Sequence, residues 1–328
     1  MPNNSTPSVS NKSGGSVVGR FAPSPTGALH TGSLVAAVGS YLMAKQRGGR
    51  WLLRVDDLDA NRQVPGMADD IMRALELFGL LWDGEVAYQS RHREEYLHYF
   101  ELLQQAGMLY TCGCSRKEIA RSASAPHQED DAIPYSGRCR GGINAATAVI
   151  RSWRVRVPDE EISFLDLRRG TVCQKLSTVS GDFILRRGDG EFAYQLAVVV
   201  DDYLAGVNQV VRGEDLLSST PRQIYLQRLL SLPRPDYCHL PLVTGSDGAK
   251  LSKRDNLLSH QLGTISGREP ALLLAVLSFL GLNPPNELTG SSCHTILQWG
   301  VSHFSPPLLP VRGGSISTAS TEWLKMSV

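Results

Sequence analysis

Between Val17 and Val55 the chain spells out one complete strand-loop-helix-strand unit, and no other stretch restricts its fold as much. Val17 to Phe21 is a short β-branched and aromatic run that breaks into Ala22-Pro23-Ser24-Pro25-Thr26-Gly27, a strand running into a loop. From Ser33 to Arg47 apolar residues recur at helical spacing, and Gly48-Gly49 supplies the stop. Trp51 to Val55 is then a second strand. A strand that returns through a helix to another strand builds parallel sheet, so the expected class is α/β, with a Rossmann-like parallel-sheet domain.

The alternation continues downstream with one interruption. Met67 to Phe78 and Arg91 to Gln105 carry helical patterns. Tyr110 to Gly142 then crowds three cysteines together and includes a small-polar stretch, Ser122 to Asp131, expected to be a mobile loop. Strand-like segments follow at Trp153 to Val157 and Phe183 to Leu185, with a turn at Arg187-Gly188-Asp189-Gly190. Tyr194 to Tyr203 reads as helix and Asn208 to Val211 as strand. A helix starts at the Ser219-Thr220-Pro221 cap and runs to Leu230, and Leu240 to Val243 is the expected last strand. A helix over Ala271 to Leu280 precedes a stretch that turns irregular after Pro307. The expected organisation is a leader over residues 1–16, the sheet domain over 17–109 and 145–260, an insertion over 110–144, and a helical C-terminal segment with an irregular tail over 261–328.

Bulk properties narrow the class. A chain of 328 residues suffices for about two domains. No uninterrupted apolar run approaches the ~20 residues that span a bilayer, and the best candidate, Ala193 to Val200, is far too short, so no membrane association is expected. Met1 to Gly15 is rich in Ser, Asn, Pro and Gly and reads as a disordered leader rather than a signal peptide, which implies a cytoplasmic protein. The 33 Lys+Arg against 32 Asp+Glu leave a net charge of +1, so any RNA contact must come from local basic clusters. Arg116, Lys117, Arg138 and Arg140 form one such cluster, for which a solvated surface is the plainer reading. Six cysteines without an export signal argue against a disulfide framework, and Cys112, Cys114 and Cys139 suggest a metal instead. Cys173, Cys238 and Cys293 are isolated and read as ordinary core cysteines.

Two segments carry chemistry. The loop after the first strand leads through His30-Thr31-Gly32-Ser33 into a helix N-terminus, where backbone amides and the positive dipole end suit a phosphate. Gly32 lets a nucleotide approach the backbone, and His30 can donate to a phosphate oxygen. Far downstream, Lys250-Leu251-Ser252-Lys253-Arg254 follows the Gly245-Ser246-Asp247-Gly248 turn, and two lysines on a flexible loop can close over a triphosphate. Alone, each segment is an ordinary turn or a solvated basic loop.

Together they resemble the two signatures of class I aminoacyl-tRNA synthetases. Arg20 to Ser24, the Arg54-Val55-Asp56-Asp57-Leu58-Asp59 strand end and Val211-Arg212-Gly213-Glu214-Asp215 are similar to the glutamyl branch, over roughly residues 17–285. Within that branch the Gly190 to Asp202 run and the cysteine cluster resemble the glutamyl-queuosine tRNA(Asp) synthetase family. So does a length too short for the helical anticodon-binding region of full glutamyl-tRNA synthetases.

The resemblance implies roles. His30, Gly32, Lys250 and Lys253 would be catalytic, and His30, Gly32, Ser33 and Lys253 would hold ATP, used with Mg²⁺. Arg20, Phe21, Ala22, Pro23, Ser24, Asp56, Tyr194 and Arg212 would bind glutamate, with the arginines on its carboxylates. Where the family carries Glu for the α-amino group this sequence has Asp56, which keeps the charge and shortens the reach. A proline common in the family is also absent at Ala60-Asn61. A structural zinc wants four ligands. The residues alone leave His127, Asp130 or Tyr135 open as the fourth beside the three cysteines; the resemblance points to a zinc on Cys112, Cys114, Tyr135 and Cys139. It also implies a monomer that activates glutamate without RNA and passes it to queuosine in the anticodon of tRNA(Asp). Two other readings stay open: a short glutamyl-tRNA synthetase charging a tRNA 3′ end, and a non-catalytic RNA-binding relic.

Overall fold

The structure is a computed structural model and describes residues 16–115, 117–119, 134–143, 149–244 and 267–316. Residues 1–15 of the expected leader, the Ser122 to Asp131 loop and the Lys250 to Arg254 segment lie outside the described residues.

Strand β1 (Val18–Phe21), helix α1 (Thr31–Lys45) and strand β2 (Arg50–Val55) form the expected unit, with β1 and β2 parallel in the register Gly19↔Trp51. Strand β3 (Ala87–Tyr88) joins β2 in parallel. A second set runs in the order β7 (Gly170–Lys175), β6 (Glu161–Asp166), β10 (Asp236–Leu240) and β9 (Gln209–Gly213), parallel throughout except for the β6–β7 hairpin. The two sets meet where the Asn208 amide donates to the Val18 carbonyl at 3.1 Å. A third, antiparallel sheet carries β4 (Leu109–Cys112), β5 (Ser152–Val155) and β8 (Ile184–Arg187).

At its centre, on β1, β2, β9 and β10, the parallel sheet is buried on both faces, as helices on each side require. On β9, Val210 enters one core and Val211 the other. The first core wraps α1 with α2 (Met67–Leu77) and the C-terminal helices α7 (Glu269–Phe279) and α8 (Cys293–His303), around the fully buried Trp51. Its indole N–H donates to Ser40 Oγ at 3.0 Å, so the buried polar edge is satisfied. The second core joins α3 (Arg93–Gln105), α5 (Tyr194–Leu204) and α6 (Thr220–Leu229) to the antiparallel sheet; a single turn, α4 (Leu176–Val179), sits at its edge. Gly39 lets α1 close on the sheet, because a Cβ there would lie 2.6 Å from Leu240 Cδ1.

Two sequence expectations shift. The last strand is β10, ending at Leu240, rather than Leu240 to Val243. Its burial on both faces erases the two-residue contrast that marks a half-exposed strand, and Pro241 cannot extend the ladder. Cys173 is exposed on the outer strand β7, so it is not a core cysteine; Cys238 is buried and Cys293 half-buried. The β6–β7 hairpin escapes sequence reading because its alternation has Leu165 facing outward and Asp166 inward.

Candidate active site

The C-terminal ends of β1, β2, β9 and β10, with the N-terminus of α1 and Tyr194 from α5, enclose a cavity of 490 Å³. Clefts at strand C-termini, where the strand order reverses, are where open α/β sheets take ligands. Arg20, Phe21, Ala22, Pro23, Ser24, His30, Gly32, Ser33, Asp56, Tyr194 and Arg212 all line it. Lys250 and Lys253 lie outside the described residues, but the wall includes Leu240, Pro241, Leu242 and Val243, the segment that leads toward them.

The α1 end is built for an anion. His30 is the helix N-cap, and its imidazole Nδ1 accepts the Ser33 amide at 3.1 Å, which places the ring proton of a neutral imidazole on Nε2. No acidic residue occupies the first turn of α1, so the positive dipole end is uncompensated there. A Cβ at Gly32 would stand 3.2 Å from the His30 ring, which explains why glycine follows the cap.

Arg20, Arg54 and Asp56, which line the cavity, belong to a buried ionic cluster. Arg20 Nε donates to Asp202 Oδ1 at 3.1 Å, and Arg54 donates to Asp202 Oδ1 and Asp56 Oδ1, both at 2.7 Å. Neighbouring Asp201 accepts from Tyr96 at 2.8 Å and Gln89 at 2.7 Å, and its Oδ1 lies 2.8 Å from His92 Nδ1. Burial raises the pKa of Asp202, but Arg20 and Arg54 outweigh it and hold the carboxyl below its usual range. At Asp56 burial wins, and the carboxyl is pushed up to about 6 despite Arg54. Its Oδ1 is engaged by Arg54, leaving Oδ2 for a ligand. Arg212, near the end of β9, lacks such a carboxylate: its described partners are His239 Nε2 at 3.2 Å and Thr220 Oγ1 at 2.8 Å. Sequence reading missed Arg54, Asp201 and Asp202 as parts of the site. The paired carboxylates at the end of the apolar run Ala197 to Val200 are the signal that would have found them.

A second site sits at the end of β4. The sulfurs of Cys112, Cys114 and Cys139 lie within 4.8 Å of one another, with Cys114 and Cys139 3.6 Å apart. The Tyr135 hydroxyl is 3.4 Å from Cys112 Sγ and 3.7 Å from Cys114 Sγ, and it accepts the Cys139 amide at 2.9 Å. A tetrahedron with metal–sulfur bonds of about 2.3 Å has edges of about 3.8 Å, slightly shorter to oxygen, so these spacings fit one ion. Arg154 stacks 4.0 Å over the Tyr135 ring and offsets part of the charge of such a donor set. Burial opposes ionisation of Cys112, but Tyr135, a backbone amide and Arg154 bring its thiol down to about 7. Of the nearby basic residues, Arg140 is spent in a bidentate pair with Asp182, while exposed Arg138 stands 3.9 Å from Glu118.

Fold and pocket together define a class I synthetase catalytic domain, and comparison agrees: the family model for class I tRNA synthetases (E and Q), catalytic domain, matches residues 16–293. A protein of Geobacter sulfurreducens named glutamyl-Q tRNA(Asp) synthetase is 57% identical over 295 residues, covering 90% of this chain and 94% of its own length. A Dechloromonas aromatica protein of the same name is 50% identical, covering 89% and 95%. A crystal structure of a glutamate tRNA ligase from Elizabethkingia meningosepticum in complex with its amino acid superposes with a TM-score of 0.78 at 26% identity, covering 94% of this chain and 68% of that one. The chain belongs to the glutamyl-Q tRNA(Asp) synthetase family of class I tRNA synthetases. None of its described helices is long and apolar enough to cross a membrane.

Proposed function

We infer that this chain activates glutamate with ATP and transfers it to queuosine of tRNA(Asp). The observation that carries the reading is a pocket with Arg212 free of any direct carboxylate partner among the described residues, beside an anion-binding helix end, in a chain 57% identical to a glutamyl-Q tRNA(Asp) synthetase.

The first step needs no general base, since the glutamate α-carboxylate is ionised at neutral pH. A carboxylate oxygen attacks the α-phosphorus of ATP in line, the bond to the bridging oxygen breaks, and pyrophosphate leaves with its Mg²⁺. The protein supplies alignment and charge. His30 and the α1 N-terminus hold phosphate, Arg212 and Arg20 face the amino acid's carboxylates, Asp56 Oδ2 takes the ammonium, and Tyr194 walls the side-chain pocket. Lys250 and Lys253, on the segment after Thr244, offset charge moving onto pyrophosphate. In the second step a queuosine hydroxyl displaces AMP from the adenylate. A Zn²⁺ ion on Cys112, Cys114, Cys139 and Tyr135 would tie β4 to the 134–143 segment as a structural crosslink.

Glutamate-dependent ATP–pyrophosphate exchange without RNA tests activation, and tRNA(Asp) with and without queuosine tests transfer. We expect exchange without RNA and transfer only to the queuosine-bearing tRNA. Transfer indifferent to queuosine would mean 3′-end charging, and no exchange under any condition would mean a non-catalytic protein. For the metal, elemental analysis of the purified protein should return about one zinc per chain, the number one such site holds.

A further inference from the structure

Of the three arginines that line the pocket among the described residues, Arg20 and Arg54 are already tied to carboxylates. Arg212 carries a buried charge held by neutral groups, and its Nη1 is buried with no hydrogen-bond partner among the described residues while the side chain lines the cavity. His239 is the reason for this arrangement. Parallel pairing of β9 with β10 sets Arg212 directly beside His239, so both side chains rise on the same face.

His239 is fully buried, and its ring packs against those of Phe164 and Tyr237. Its Nδ1 is 2.7 Å from Asp166 Oδ2, which also accepts the His239 backbone amide at 3.0 Å. Amides of Arg168 and Arg169 hold the other Asp166 oxygen at 3.0 and 2.8 Å. An imidazole that accepts from Arg212 at Nε2 must carry its proton on Nδ1, and Asp166 is the acceptor that keeps it there. A proton on Nε2 would oppose the Arg212 N–H, and on a ring that kept its Nδ1 proton it would also add a second buried positive charge. Burial accordingly lowers the imidazole's pKa. Asp166 therefore supports the guanidinium one residue removed. Direct pairing would force a substrate carboxylate to displace a resident one; this relay leaves Nη1 unclaimed.

We propose that His239 is a positioning residue for amino-acid specificity, whose neutral, Nδ1-protonated ring clamps Arg212 Nε and aims Arg212 Nη1 at the side-chain carboxylate of glutamate. The proposal rests on the glutamate-activating function above. It follows that His239 affects glutamate binding and the choice of acid over amide, and leaves the ATP side alone. An unclaimed guanidinium amino group gains a charge-assisted bond from a carboxylate that glutamine cannot supply.

The test is ATP–pyrophosphate exchange on the full-length protein, wild type against His239→Phe, His239→Gln and Arg212→Ala. Phenylalanine keeps a ring against its aromatic neighbours and deletes the acceptor, whereas glutamine puts a carbonyl oxygen near the place of Nε2. For His239→Phe we expect the glutamate KM to rise about tenfold or more, the scale of a lost hydrogen bond to a charged group. Its KM for ATP should hold within about twofold, its preference for glutamate over glutamine should fall, and His239→Gln should recover part of the loss. A wild-type glutamate KM in His239→Phe, or parallel rises in both KM values, overturns the proposal. The underlying reading fails separately, if wild type shows no glutamate-dependent exchange or Arg212→Ala leaves the glutamate KM unchanged. If His239→Phe does not fold, nitrogen NMR of the wild-type protein decides: a protonated Nδ1 and bare Nε2 at neutral pH support the clamp, and any other state of the ring refutes it.

Discussion

Asp56 is the pocket carboxylate whose ionisation a modest change of pH can reverse. Its folded pKa of about 6 lies above the ordinary 3.8 because burial outweighs the help from Arg54. For an acid the sign runs two ways. Folding alone gains from this group as pH falls through about 6 toward 3.8, since the folded state then takes up a proton that the unfolded chain does not. Binding runs the other way, because the ammonium of glutamate needs the carboxylate charged. The glutamate KM in pyrophosphate exchange should be level above pH ~6 and rise toward tenfold per pH unit below it, and Asp56→Asn should show a high KM without that limb. A limb that persists in the variant belongs to another group. The resemblance supplied Asp56 and every other pocket residue it named within the described chain, because those residues sit in contiguous motifs. Arg54, Asp201, Asp202, His239 and Asp166 were not legible as site residues. Each acts through a partner distant in sequence, as Arg54 does with Asp202 148 positions away, and no local pattern encodes such a pairing.

Elements were legible where their periodicity was clean and blurred where burial was two-sided. α1, α2, α3, α5, α6 and α7 fall within two residues of expectation because a helix stripe survives in the sequence. β10 slid because its inward and outward faces are both buried, and the β6–β7 hairpin was lost to one outward Leu and one inward Asp. The metal-site loop depends on a feature that only pairing reveals: Tyr135 bridges to Gly181, just after α4. Gly181 holds φ +60, and a Cβ there would collide with the Tyr135 backbone. Gly181→Ala should therefore displace the Tyr135 hydroxyl from the sulfurs as well as strain its own turn, at a cost of about 1–3 kcal/mol. We expect a lower melting temperature and a faster loss of bound metal to a competing chelator, with all three cysteines intact. Unchanged metal retention would show that Tyr135 is not a ligand.

Across the whole molecule the parallel sheet divides one core from another, and the pocket draws on both sides. Leu29 and Val35 belong to the core around α1, while Tyr194 opens α5, the helix that packs in the other. A ligand held by Arg20, Arg212 and Asp56 thus touches strands that neither core positions alone, so binding should stabilise the two halves together. Ligand at a hundredfold excess over its Kd adds about 2.7 kcal/mol to the folded state. With an unfolding entropy of roughly 2.1 cal/mol/K per residue, a chain of this length should melt about 4 °C higher. Calorimetry with glutamate, with glutamine and with ATP separates the contributions. Glutamate should shift a single cooperative transition, and glutamine at the same concentration should shift it far less, because it lacks the charge that Arg212 awaits. Two transitions, of which glutamate moved only one, would mean that the pocket belongs to one core and that the sheet does not couple it to the other.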